Sequence, residues 1–235
     1  MDFRPIEFEY DKNHFARPAT QIVDRLTLND ITSDTRPSVV SNSMETIKTD
    51  RGPFQSVQVP NGWHQTVQRI DNTGQMIKMS AAGDDKGGFL GICDRGRSVG
   101  EASATAFSDL ISKNQDIKAV KVLLPSQIRD LEQVMGYTSV GDNQFTNSNK
   151  YPSPRAPVFS LTSAQLINVN RHTVLEVQGN FVDANKTPVN YFRGIFIQDS
   201  KDPQKIQEFF AQAPNSSEFT KTESVYRDAL KTITW

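Results

Sequence analysis

Residues 171–198 read RHTVLEVQGNFVDANKTPVNYFRGIFIQ. Thr173 to Val182 and Tyr191 to Gln198 are rich in β-branched and aromatic residues, and a turn-forming stretch around Asn185 separates them. They predict two strands joined by a turn. The tail that follows also has a legible order. Asp202-Pro203 has the chemistry of a helix start, because Asp caps free backbone N–H groups and Pro suits the first helical position. Phe209 and Phe210 would give that short helix an apolar side. Phe219, Val225, Tyr226, Leu230 and Ile233 predict a closing helix laid across the sheet, with Trp235 as its last anchor.

Upstream of this stretch the chain reads as hairpin-spaced strands. Gln55 to Val59 alternates and stops at Pro60, and Asn61-Gly62 is a tight-turn signal. Trp63 to Ile70 alternates again, with Trp63 and Val67 set against Gln65 and Arg69. Asn72-Thr73-Gly74 predicts a turn, Met76 to Ala81 a strand, Gly83 to Gly88 a loop and Phe89 to Cys93 a short strand. Turn chemistry between such runs favours antiparallel pairing. A helix is then expected from Ser98, where Ser98 and Glu101 have capping-box spacing. Val120 to Leu124 predicts a buried strand. Ser126 would cap a second helix ending near Met135, with Gly136 as its stop. Gly141 to Pro157 is a loop by composition, Phe159-Ser160-Leu161 starts the next ordered stretch, and Ala164 to Val169 fits a strand or a helical turn. The fold class is therefore α+β: a central, mainly antiparallel sheet flanked by helices.

Residues 1–53 differ from the rest. Phe3, Phe8, Tyr10 and Phe15 are interleaved with charges and prolines, and Asn29 to Gly52 is polar. We read 1–53 as an extended arm and linker, and 54–235 as one domain. The arm's aromatics pack on the domain or contact a partner.

The chain of 235 residues carries 26 basic and 27 acidic side chains, well mixed, so no long-range field draws it to nucleic acid or an anionic membrane. Its mean hydropathy is −0.52. No apolar run is long enough to span a bilayer, and residues 1–5 lack the apolar core of a signal peptide. Two locations fit: the cytoplasm, or the envelope or periplasm for a mature exported protein whose signal peptide is gone. Cys93 is the single cysteine, which excludes an internal disulfide and a Cys-rich zinc site. His14, His64 and His172 lack metal-ligand spacing.

Two short motifs carry a resemblance. Val59-Pro60-Asn61-Gly62-Trp63 is similar to the P-x-G-W that opens PsbP-like domains. Tyr226, Leu230, Thr232, Ile233 and Trp235 occupy the places of the family's closing F-x-x-x-L-x-S-(I/L/F)-x-(W/F). With the element order, the chain resembles the PsbP-like fold family over residues 54–235, departing from it in the arm and in the loop 141–157. That family holds photosystem II accessory proteins, a Ran-binding nucleotide-release factor and DcrB-type envelope proteins. The resemblance implies a binding or accessory role and no catalytic residues.

The remaining chemistry is sparse. Gly83 to Gly91 lacks the Gly-Lys-Ser/Thr end of a phosphate loop. Asp84 and Asp85 offer carboxylates without the further ligands of a calcium loop. Cys93 beside Asp94 and Arg95 is a core thiol or, less simply, a nucleophile. Ser126 has no nucleophile elbow around it. Arg95 and Arg97, before a helix, are surface charges or an anion contact. Trp63 is a core or rim aromatic, or a partner contact. Asn185 and Asn215 head glycosylation-type triplets. No catalytic, cofactor or metal residue is assigned. The expected function is non-enzymatic: a protein-binding, accessory or assembly protein using its sheet surface or arm, with Arg95, Arg97, Trp63, Phe8 and Tyr10 as candidate contacts. The alternatives are a structural subunit of an envelope or particle, and a hydrolase or thiol enzyme using Ser126 or Cys93.

Overall fold

The structure is a computed structural model that describes residues 43–70, 74–81, 87–94, 99–118, 120–131, 134–135, 138–140 and 157–235. Ten strands and three helices are named: β1 Met44–Lys48, β2 Ser56–Pro60, β3 Trp63–Ile70, β4 Gly74–Ala81, β5 Phe89–Asp94, α1 Glu101–Ser112, β6 Lys121–Val122, α2 Pro125–Asp130, β7 Val158–Val169, β8 His172–Val182, β9 Pro188–Gln198, β10 Ile206–Ala213 and α3 Ser216–Leu230. β3 to β10 form one eight-stranded sheet in the order β3-β4-β5-β10-β9-β8-β7-β6, and β1 and β2 form a separate pair. Every pairing is antiparallel. The α+β reading therefore holds.

The sheet lies between two apolar layers. One core joins Phe107 of α1 and Ile128 of α2 to Leu175, Phe192 and Phe210 of the sheet. The other joins Phe219, Tyr226 and Leu230 of α3, with Val57 and Val59 of β2, to Ile195 and Phe209. Successive strand residues face opposite ways, so each central strand feeds both layers.

β10 overturns the helix expected from Asp202-Pro203. Asp202 does turn the chain, accepting from the Gln204 N–H through its side chain and from the Lys205 N–H through its carbonyl. The next eight residues are a strand buried along its whole length. Phe209 and Phe210 face opposite layers, which a shared helical face could not achieve.

Three further expectations change. Val120 to Leu124 is not a buried strand: β6 has two residues, and Val120, Val122 and Leu124 are 57%, 67% and 63% exposed. Only Leu123 is buried, because β6 lies at the sheet margin with one face uncovered. Asn61-Gly62 does not close a hairpin. It passes the chain from the small sheet to the large one, with Gly62 at φ +83°, where a side chain would be strained. Trp63, Gln65, Val67 and Arg69 share one face of β3, since they are two residues apart.

Helix ends follow rules other than the expected caps. Ser98 lies outside the described residues; α1 starts at Glu101 after Gly100, which gives no side-chain cap. α2 starts at Pro125, and the Gln127 side chain accepts from the Leu124 N–H, so Ser126 sits inside the first turn. α3 is capped by the Asn215 side chain, which accepts from the Glu218 N–H at 2.9 Å. It stops at Leu230, and Thr234 beyond it bridges to Ser56.

Residues 44–53, placed by the sequence reading in the arm, belong in part to the fold. Ile47 of β1 is buried in the α3-side core. The loop after β1 is held by Gln207 of β10. Its amide accepts from the Phe54 N–H at 3.1 Å and donates to the Arg51 carbonyl at 2.6 Å. Gly52, at φ +78°, leaves the room that this side chain fills.

Candidate functional site

β3 is the outermost strand of the large sheet and pairs only with β4 among the described residues. Its eight residues run from Trp63, which is half-buried against the α3-side core, to Ile70. His64 through Arg69 are exposed on both faces of the strand. Val67 is 59% exposed. β3 thus extends past the layers that cover the sheet centre, whereas Met76 of β4 lies in one core and Ile77 and Met79 lie in the other. In an antiparallel strand, alternate residues turn both backbone groups toward the neighbour and the rest turn them away. β3 therefore presents a row of N–H and C=O groups that can pair with another chain. Of the guards common on such edges it has no proline and no bulge, and Arg69 is its one formally charged side chain.

Trp63 is thus a rim aromatic that anchors the start of the edge. Arg95, Arg97, Phe8 and Tyr10 lie outside the described residues. Cys93 is buried on β5, in the core under α1 and α2, so a substrate reaches its thiol only if the sheet opens. Ser126 is exposed on α2. Among the described residues no three His, Cys, Asp or Glu side chains cluster as metal ligands. No described helix is long and apolar enough to cross a membrane.

Sequence reasoning missed two polar features. Under α3, Arg193 of β9 makes a forked contact with Glu176 of β8, at 2.9 Å from Nε and 2.7 Å from Nη2. Its Nη1 donates to Glu223 of α3 at 2.8 Å. Gln165 donates to Glu176 at 2.6 Å, and Arg227 to Glu223 at 2.8 Å. Burial pulls the Arg193 guanidinium down, but the bonds and charge of Glu176 outweigh it and hold the pKa above its ordinary value. A charged residue in mid-strand gives no sequence sign of its partner, so this hub was not legible. The second feature is an open groove of about 810 Å³ at the end of the sheet, where β8 begins and β9 ends. Phe107, Ile111, Thr173 and Gln198 line it, with the His172 ring stacked on Trp235 at 4.2 Å. Gln198 pins α1 there, donating to the Ala104 carbonyl at 2.9 Å.

Tyr226 lies beside the Arg193 hub, with its buried hydroxyl turned toward Glu176. Burial pushes the phenol well above its ordinary value; Glu176 adds to this and Arg193 opposes it. The unfolded chain ionises such a phenol near pH 10. The folded protein keeps it protonated, so its stabilising contribution is complete below that pH and is lost as pH rises further. Tyr226→Phe is expected to flatten this alkaline decline in thermal melts. At neutral pH, where the phenol is uncharged, it should change stability by no more than about 1–2 kcal/mol.

Comparison with known protein families gives no match, and comparison with curated proteins gives none. Among solved structures, the crystal structure of a protein of unknown function from Pseudomonas aeruginosa is similar to this chain. The similarity covers 80% of this chain and 94% of that one, at 14% identity and a TM-score of 0.35. A likeness of that size carries no functional argument.

Proposed function

We infer that this chain is a non-enzymatic binding or accessory protein that holds a protein partner through its sheet, by adding a partner strand to β3. The observation that carries the reading is the exposed row from His64 to Arg69 on a strand with one neighbour among the described residues. Main-chain pairing along such an edge supplies affinity, and side chains on either face supply selectivity. The PsbP-like resemblance points the same way. Its two motifs, which end at Trp63 and Trp235, meet on one core layer.

The test is a photoreactive side chain at Gln65, with a control at Ser224, which is exposed on α3. Each variant is exposed to light in an extract of the native host. Protein adducts at Gln65 and none at Ser224 are expected. Adducts at both, or at neither, would overturn the reading.

A further inference from the structure

Resting on the β3 reading, the charges around the edge narrow the kind of strand that fits it. β3 and β4 carry Arg69, Lys78 and His64 and no acidic residue; the nearest acid in sequence, Asp71, lies outside the described residues. Lys78 is turned over the Phe89 ring, 4.6 Å from its centroid. Arg69 makes no ion pair or hydrogen bond among the described residues, whereas Lys113, Lys221, Arg227 and Lys231 each pair with a carboxylate on their own helix or at its end. An exposed guanidinium and an exposed Val67 therefore sit two residues apart on one face of an open strand.

We propose that the partner of β3 is an extended, acidic segment in which a carboxylate and an apolar residue stand two apart. Every pairing in the sheet is antiparallel, and the incoming strand is taken to continue that pattern against β3. Directly opposed side chains then share a face about 5 Å apart. The carboxylate faces Arg69, and the apolar residue, two positions later in the partner, faces Val67. The planar guanidinium can take that carboxylate through two donors, which a lysine could not. A basic segment would set like charges against each other at the same place.

The probes are two fluorescent eight-residue peptides, alternating threonine with either glutamate and valine or lysine and valine, titrated against the full chain by anisotropy. The glutamate peptide should bind about three- to tenfold more tightly at low salt, and added salt should narrow the gap. Arg69→Glu should invert the preference. Of Thr66→Pro and Val67→Pro, one removes an N–H that points away from β4; the variant that keeps its melt should lose both peptides. Equal binding of the two peptides overturns the acidic assignment and leaves the edge reading standing. Binding that survives the folded proline variant overturns both. No binding to either peptide overturns the acidic-segment proposal. A dimer in sedimentation that this proline variant abolishes gives the edge to a second copy, and also overturns it.

Discussion

Arg193→Met is expected to lower unfolding stability by about 3–5 kcal/mol, read from urea denaturation. The loss comes from what remains rather than from what is removed. Glu176 is buried on β8 and receives two of the five donors of Arg193. Without them it must ionise in an apolar layer or take up a proton. Glu176→Gln should cost less, because the amide oxygen still accepts one bond. The double variant Arg193→Met with Glu176→Leu should recover much of the single loss, since two apolar side chains of similar size leave no charge to compensate. A double variant as unstable as the sum of its parts would show that the pair is not a unit. Glu223 gives the hub a second role: it ties α3 to the sheet, so Arg193→Met should also loosen amide protection along that helix.

Phe210→Ala is expected to cost about 3–5 kcal/mol by leaving a cavity at the sheet centre. The ring is fully buried on β10, stacked on Phe192 at 5.2 Å and edge-on to Phe89 at 6.0 Å. Its opposite residues on the neighbouring strands are both glycine, Gly91 and Gly194. A Cβ at Gly91 would lie 2.4 Å from the Phe210 Cζ, an atom of the packed ring. Gly91→Ala alone should therefore cost about 1–3 kcal/mol through overpacking. Combined with Phe210→Ala, the added methyl enters vacated space, and the total should fall short of the sum. Strict additivity in chemical denaturation would mean that the two residues do not compete for one volume.

Much of the fold was legible because period-two patterns survive wherever a strand has one dry and one wet side. β2 was found this way, its Val57 and Val59 buried between half-exposed neighbours; β8, which feeds both layers, was found from its β-branched and aromatic residues beside a turn. β10 was missed because burial on both faces erases alternation, and Asp202-Pro203 before it mimics a helix cap. Val120 to Leu124 misled in the opposite direction: an apolar run reads as buried, yet burial depends on what lies over it, and at this margin little does. The site was less legible than the fold. Trp63 was singled out, but its neighbours His64 to Arg69 are ordinary in composition. The role proposed for them rests on β3 having one neighbour strand among the described residues, a property of topology and not of any residue.

β10 also fixes the order in which the protein can be completed. In sequence it is the last strand, yet in the sheet it sits between β5 and β9. While residues 206–213 are still untranslated, the nascent chain holds two separate antiparallel pieces, β3–β5 and β6–β9, each ending in a bare inner edge. Those edges belong to β5 and β9, most of whose residues are buried or half-buried in the finished sheet. Folding must wait for the final segment to close a long-range gap, which is slow and leaves the waiting pieces prone to aggregate. A chain truncated before β10 is therefore expected to leave two half-sheets with no strand to join them.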